Sequence, residues 1–276
     1  MIELTKHHGL GNDFLVLFDD QPLPRLPFEV LARQWCDRRR GIGADGLLVG
    51  LTGIDATQFD LGMVLINADG SRAEMSGNGI RCLAQAFVAR QSRAVSEQAE
   101  SSTTLRISTD AGLREVEVRP GPDLRTVLAS VDMGEVTSIA PPARWAELEC
   151  DPLRPVSHLG LGNPHAVVGV EDVTELDLAA LGAIVPEVNL EIVQPGPEPH
   201  GITMRVHERG AGITEACGTG ACASAWAAVE WGLIPASVPE IVVHMDGGDA
   251  TVRVHQPTHG RVTLTGPATY IGTITA

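Results

Sequence analysis

The sequence predicts an α+β protein of two pseudo-symmetric lobes, each a mixed or antiparallel β-sheet wrapped around a central helix. An internal duplication, a pair of glycine-led helices, and alternating β-branched runs around them point to that class. The duplication is the strongest signal. Gly9-Leu10-Gly11-Asn12 reappears as Gly160-Leu161-Gly162-Asn163, and Glu74-Met75-Ser76-Gly77-Asn78-Gly79 is echoed by Glu215-Ala216-Cys217-Gly218-Thr219-Gly220. The offsets, 151 and 141 residues, are about half of the 276-residue chain, and the order is kept. Either match alone is a short Gly-rich coincidence; two in register indicate homologous halves.

Each second motif opens a helix. Ile80–Arg90 is rich in helix formers with a broad apolar face, and Ala221–Trp231 is small and apolar nearly all round, which predicts deep burial. Alternating, β-branched runs predict strands at Leu105–Ser108, Glu115–Arg119, Val127–Val131, Ile202–Val206, Ile241–His244, Thr251–His255 and Arg261–Thr265. One buried helix per lobe is expected. Pro120-Gly121-Pro122 marks the boundary, giving lobes at 1–122, with 266–276 returning to it, and at 123–265.

Composition narrows the function classes. A net charge of −15 disfavours nucleic-acid or anionic-membrane binding, which needs clustered basic residues. Lys6 is the only lysine, and the one dense basic run, Arg38-Arg39-Arg40, reads as a solvated loop. No apolar run reaches the roughly 20 residues of a membrane span, and the N-terminus carries no secretory pattern, so a cytoplasmic protein is expected. The five cysteines, Cys36, Cys82, Cys150, Cys217 and Cys222, form no CxxC pattern, and their odd number argues against a disulfide framework. The histidines show no metal-ligand spacing.

Chemistry concentrates at the helix starts. A Ser or Cys followed by Gly-x-Gly turns successive N–H groups outward at the positive end of a helix dipole. Such a nest binds a carboxylate, and it is expected to lower the pKa of a thiol placed there. Cys217 therefore reads as reactive, against the plainer alternative of a buried structural thiol at a glycine turn. Two such helix starts facing one carbon would supply the two acid/base groups that inversion of a stereocentre requires. Asn12, Asn67, Asn163 and Asn189 lie in expected loops and suit the ammonium and carboxylate ends of an amino acid, although each alone also fits an Asx-turn. Arg209, beside Glu208, offers a bidentate clamp for a carboxylate or a solvated ion pair. His165 fits a core histidine or a supporting partner equally. Gly41–Gly46 matches GxGxxG literally, but it follows a charged segment and leads into an expected strand, the wrong context for a dinucleotide.

Together these residues resemble a known family. Gly9–Phe14 (GLGNDF), Gly41–Gly46 (GIGADG), Asn67–Gly79 (NADGSRAEMSGNG), Gly162–His165 (GNPH), Glu208-Arg209-Gly210 and Ala216–Ala223 (ACGTGACA) look like the successive motifs of diaminopimelate epimerase, in family order. The resemblance implies a homodimer, with Tyr270 at its contact, that needs neither pyridoxal phosphate nor metal. It implies interconversion of LL- and meso-2,6-diaminopimelate by two cysteines on opposite faces of the α-carbon, for lysine and peptidoglycan synthesis. Substrate contacts would fall on Asn12, Asn67, Gly77, Asn78, Asn163, Asn189, Glu208, Arg209, Gly218 and Thr219, with His165 and Glu208 assisting the thiols.

Two departures stand out. The family's Gln at the end of the second motif is Gly46 here, and the cysteine expected before Gly77 is Ser76. Cys82, nearly two turns along the same helix, does not replace it. A serine hydroxyl is a far weaker acid than a thiol. Position 76 is thus an introduced replacement, a natural acid/base acting directly or through water, or the mark of related chemistry. The alternatives to the epimerase are a related amino-acid isomerase or dehydratase, and a weakly active amino-acid-binding homologue.

Overall fold

The computed structural model describes residues 1–94, 102–255 and 260–275. The chain divides into two compact units, Met1–Val131 with Gly266–Ala276, and Asp132–Thr265. They are called here the first and second lobe.

The first lobe runs β1 (Glu3–Gly9), β2 (Asn12–Phe18), α1 (Phe28–Trp35), β3 (Gly46–Leu51), β4 (Leu61–Asn67), β5 (Arg72–Ala73), α2 (Gly77–Ala94), β6 (Thr103–Thr109), β7 (Gly112–Pro120) and β8 (Thr126–Glu135). β1 and β2 form a hairpin, β2 runs parallel to β3, and β3 pairs antiparallel with β4. β4 takes β5 antiparallel and β6 parallel, and the β6–β7–β8 meander completes the lobe. Pro120-Gly121-Pro122 lies at the β7–β8 turn, and the division between the units falls one strand later, within β8.

After the short β9 (Thr137–Ser138), the second lobe runs β10 (Val156–Gly160), β11 (Pro164–Gly169), α3 (Leu178–Ile184), β12 (Asn189–Pro195), β13 (Gly201–Glu208), β14 (Gly212–Thr214), α4 (Gly218–Glu230), β15 (Ile241–Met245), β16 (Gly248–His255) and β17 (Arg261–Thr275). Its pairings repeat those of the first lobe strand for strand. β10 and β11 form a hairpin, β11 is parallel to β12, and β12 is antiparallel to β13. β13 takes β14 antiparallel and β15 parallel, and β15–β16–β17 is a meander. Beyond Thr265, β17 pairs with β1 within the first unit.

The predicted strands all fall inside observed ones, and the two predicted helices are α2 and α4. Each lobe has its central buried helix as expected, and α1 and α3 each add a short, mostly part-exposed second one. Side-chain alternation explains the layering. Leu47 and Val49 of β3 join Leu15, Leu17, Leu31 and Ala32 in a cluster beneath α1. Leu48, between them, points to the other face, where α2 packs. Likewise Leu190 and Ile192 of β12 pack with Leu178 of α3, which leaves Glu191 on the α4 side. With helices on both faces, β2 and β12 are buried along almost their whole length and read as continuous apolar runs.

The duplicated hairpins differ by one residue. Gly9 pairs with Asn12 across a two-residue turn, in which Leu10 (φ 55°) and Gly11 (φ 84°) are both left-handed. In the second lobe Gly160 pairs with Pro164, and only Gly162 (φ 79°) is left-handed.

Candidate active site

Both helix starts are capped by the residue the duplication aligns. The Ser76 hydroxyl accepts from the Gly79 N–H at 3.1 Å, and the Cys217 sulfur accepts from the Gly220 N–H at 3.4 Å. A side-chain acceptor three residues ahead satisfies one of the helix's unpaired donors and holds the cap at the positive end of the dipole.

In the first lobe, a hydrogen-bonded chain ties the predicted residues together. Asn78, buried at the start of α2, accepts from buried Arg81 at 2.7 Å and donates to Asn12 at 3.3 Å. Asn12 donates to Asp45 at 2.8 Å. Arg38 bridges Asp45 and Asp13, each at 2.7 Å, and Lys6 reaches Asp13 at 2.8 Å. Burial alone would raise Asp13, but hydrogen bonds and charge from Arg38 and Lys6 hold its carboxyl below the usual range. Arg38 is therefore no mere member of a solvated run; it braces the loop behind Asn12. Gly77 gives its carbonyl to Arg81 at 3.0 Å. Asn67, exposed at the end of β4, donates to Ser71 at 2.9 Å. Gly46 has little room for a side chain, since a Cβ there would lie 2.9 Å from the Ile66 carbonyl oxygen. It opens β3, so the GxGxxG match runs into a strand.

In the second lobe, Cys217 is buried, and Thr219 Oγ1 lies 3.5 Å from its sulfur. Asn163 donates to Thr219 at 3.2 Å and lies 2.9 Å from His165 Nε2. Fully buried His165 meets fully buried Glu191 at 2.7 Å. Asn189 accepts the backbone N–H of exposed Arg209 at 2.8 Å. Glu208 accepts from the Thr214 hydroxyl. The lowered thiol pKa expected of a helix N-terminus is reversed here. Burial pushes Cys217 well above its usual value, and Glu208 and, when ionised, Glu191 add to the rise against Thr219 and the Gly220 N–H. Burial raises Glu191 as well, opposed by His165. Cys82 lies fully buried along α2 and is pushed up to about 12, an inert core thiol.

Sequence reasoning missed Glu191, Arg81 and the Asp13–Arg38–Asp45 brace. A lone acid inside Val188-Asn189-Leu190-Glu191-Ile192-Val193 was the available signal for the first. Among the described residues, no group of three or more His, Cys, Asp and Glu side chains is arranged to hold a metal. No described helix is long and apolar enough to cross a membrane. A cavity of about 300 Å³ lined by Pro195, Glu198, Leu233 and Ile234 contains none of the predicted site residues.

The sequence model for diaminopimelate epimerase matches residues 4–139 and 158–271. The chain belongs to the diaminopimelate epimerase family. A diaminopimelate epimerase of Thermosynechococcus vestitus is 38% identical, over 97% of this chain and 96% of that protein. One from Desulfitobacterium hafniense is 36% identical over 98% and 96%. The α+β fold of the family is shared by more distant solved structures. A PhzF-family phenazine biosynthesis protein from Bacillus anthracis superposes with a TM-score of 0.75 at 14% identity, covering 99% of this chain and 98% of its own. A hydroxyproline epimerase from Agrobacterium vitis, solved with trans-4-hydroxy-L-proline, has a TM-score of 0.65 at 16% identity, covering 99% and 90%.

Proposed function

We propose that this chain is a cofactor-independent epimerase that interconverts LL- and meso-2,6-diaminopimelate by proton transfer at the α-carbon, with Ser76 in place of the usual first cysteine. The observation that carries the reading is the repeated cap: one acid/base-capable atom at the same place in each copy of a duplicated lobe. Inversion needs a group that removes the α-proton from one face and another that delivers a proton to the opposite face.

Cys217 is the stronger of the pair. In its ionised form it takes the α-proton and becomes a thiol, while position 76 donates to the other face. The Thr219 hydroxyl and the Gly220 N–H oppose the burial that disfavours the thiolate, and an amino-acid ammonium would add positive charge. His165 and Glu208 assist the acid/base groups. Asn12, Asn67, Gly77, Asn78, Asn163, Asn189, Glu208, Arg209, Gly218 and Thr219 hold the substrate's charged ends. A serine alcohol is poorly matched to proton transfer near neutral pH, so turnover is expected to be slow. A cytoplasmic homodimer with Tyr270 at its contact completes the proposal; within its own chain Tyr270 bonds Thr273 and packs edge-on against His7.

The test is whether purified protein, with no cofactor added, converts LL- to meso-diaminopimelate and exchanges the α-proton with deuterated solvent. Cys217→Ala should abolish the exchange. Dependence on pyridoxal phosphate, or undiminished exchange in the variant, would overturn the reading. Binding of diaminopimelate without exchange would identify an amino-acid-binding homologue instead.

A further inference from the structure

The residue behind His165 has no part in the reading above, and the duplication singles it out. Phe14 pairs with Gly46 across β2 and β3 in the way His165 pairs with Asn189 across β11 and β12. Two residues on in each strand, Leu48 therefore corresponds to Glu191. Both lie against the third residue of the helix start. A Cβ on Gly79 would meet Leu48 Cδ2 at 3.3 Å, and one on Gly220 would meet Glu191 Oε1 at 2.8 Å. The first lobe fills this place with an apolar Phe–Leu pair, so the fold itself needs only volume there. The second lobe spends a fully buried His–Glu pair on it.

We propose that Glu191 is a positioning residue that sets the direction of a hydrogen-bond relay running through His165, Asn163 and Thr219 to the Cys217 sulfur. The links measure 2.7, 2.9, 3.2 and 3.5 Å, and all lie within the second lobe. Each middle member can either pass donation onward or receive it, so the state of one end determines the rest. When Glu191 Oε1 carries a proton and donates to His165 Nδ1, Nε2–H donates to Asn163 Oδ1. Asn163 Nδ2–H then donates to Thr219 Oγ1, and the Thr219 hydroxyl is left to donate to sulfur. An ionised Glu191 accepting from Nδ1–H of a neutral ring leaves Nε2 bare; with the Asn163 amide turned over, every link then reverses and Thr219 accepts the thiol proton.

The surroundings select the first direction. Glu191 Oε2 is buried without a hydrogen-bond partner among the described residues. A carboxylate would place charge on that bare oxygen, whereas a carboxylic acid leaves a neutral carbonyl there. Glu208 adds negative charge nearby, and burial raises Glu191 in the same sense. In this direction Cys217 sulfur receives two donors, Thr219 and the Gly220 N–H, which favours the thiolate that proton abstraction needs.

The inference rests on Cys217 being an acid/base group, so its test reads protonation rather than turnover. Nitrogen-15 NMR of His165 should show a protonated Nε2 and a bare Nδ1; a bare Nε2, or a doubly protonated ring, overturns the relay. Cys217 ionisation is followed by thiolate ultraviolet absorbance against a Cys217→Ser background. Thr219→Val should raise the midpoint by about one pH unit, the scale of one hydrogen bond to a charged group. Glu191→Leu, which installs the first lobe's residue, should also raise the midpoint, lowering the ionisation constant severalfold, and Glu191→Gln should stay closer to the parent. In the Thr219→Val background, Glu191→Leu should add nothing. A midpoint that falls in both Glu191 variants would make the group a plain buried charge. An unmoved midpoint in Glu191→Leu, or full additivity with Thr219→Val, would disconnect it from the sulfur. If the relay behaves as expected but no α-proton exchange is found, the epimerase reading fails and this one stands.

Discussion

The two helix starts are copies of one device run with opposite electrostatics. In the first lobe the cap is an oxygen, and the charge buried beside it is the cation Arg81, held to Gly77 and Asn78. In the second the cap is a sulfur, and the neighbouring acids are Glu208 and the buried carboxyl of Glu191. The backbones agree, from the strand pairings to the N–H that meets each cap. The scaffold thus fixes where the capping atom sits, and the side chains packed behind it decide how readily that atom ionises. A helix N-terminus lowers a thiol's pKa only when burial and neighbouring charge do not outweigh the dipole.

The sharpest way to break this comparison is to make the caps identical. Ser76→Cys should raise epimerase turnover by about 10²–10⁴-fold, the usual worth of a matched general acid or base. With Arg81 beside it and no carboxyl in the place of Glu191, the new thiol should also ionise at lower pH than Cys217. Paired thiolate titrations of the Ser76→Cys variant and of Ser76→Cys with Cys217→Ser would check the order. Little gain in turnover, with good activity beforehand, would mean that the enzyme works with serine.

The reverse transplant probes the scaffold. Leu48→Glu puts a carboxyl behind Phe14, where no histidine meets it. Leaving a buried charge unpaired should cost the first lobe about 3–5 kcal/mol, read from the denaturant midpoint. Adding Phe14→His supplies the partner and should recover part of that loss. A Leu48→Glu protein as stable as the parent would show that the site is wetter than its packing implies.

Most of the fold could be read from sequence because its signals are local. The motif repeats, the small-residue run of α4 and the alternation of β6, β7, β13, β15 and β16 all declare themselves within a dozen residues. α1 was hidden because it is only eight residues long and follows the turn-rich Leu23-Pro24-Arg25-Leu26-Pro27. The cap positions Ser76 and Cys217 were legible because glycines flank them. Glu191 was not, since one acid between Leu190 and Ile192 reads as the solvent face of an alternating strand. Only α4 packing on that face makes the position interior, so the lone acid could be noticed but its burial could not. The direction of the Cys217 shift was misread for the same reason. Dipole and cap are local, whereas burial and the approach of Glu208 and Glu191 are products of the tertiary fold.

The lobes should also answer pH in opposite senses, and here the expected effects are smallest. In the first lobe, buried His7 donates from Nδ1 to Gln85 Oε1 at 2.8 Å, and Gln85 is oriented by its own bond to the Arg125 carbonyl. Burial lowers His7 to about 4, so between that value and the ordinary 6.5 the unfolded chain binds a proton the folded lobe does not. Stability therefore falls as pH drops through 6.5 and goes on falling to about 4, by about 3 kcal/mol in all. In the second lobe, His244 on β15 lies between Glu198, 2.9 Å away in the loop before β13, and Asp249, 2.7 Å away on β16. Partial burial would lower it, but hydrogen bonds and charge from Glu198 and Asp249 prevail and raise it. A folded pKa above the unfolded one gives stability that is complete below the unfolded value and is lost as pH rises through the folded value. The pair is partly solvated, so the gain should be no more than about 1 kcal/mol and should shrink with added salt. Histidine NMR titrations, together with denaturant midpoints of the parent and of His244→Gln across neutral pH, would read both. The parent's advantage over His244→Gln should appear on the acid side and vanish on the alkaline side. An advantage that grows with pH would mean that His244 is held neutral, and that the loop before β13 is anchored by something other than charge.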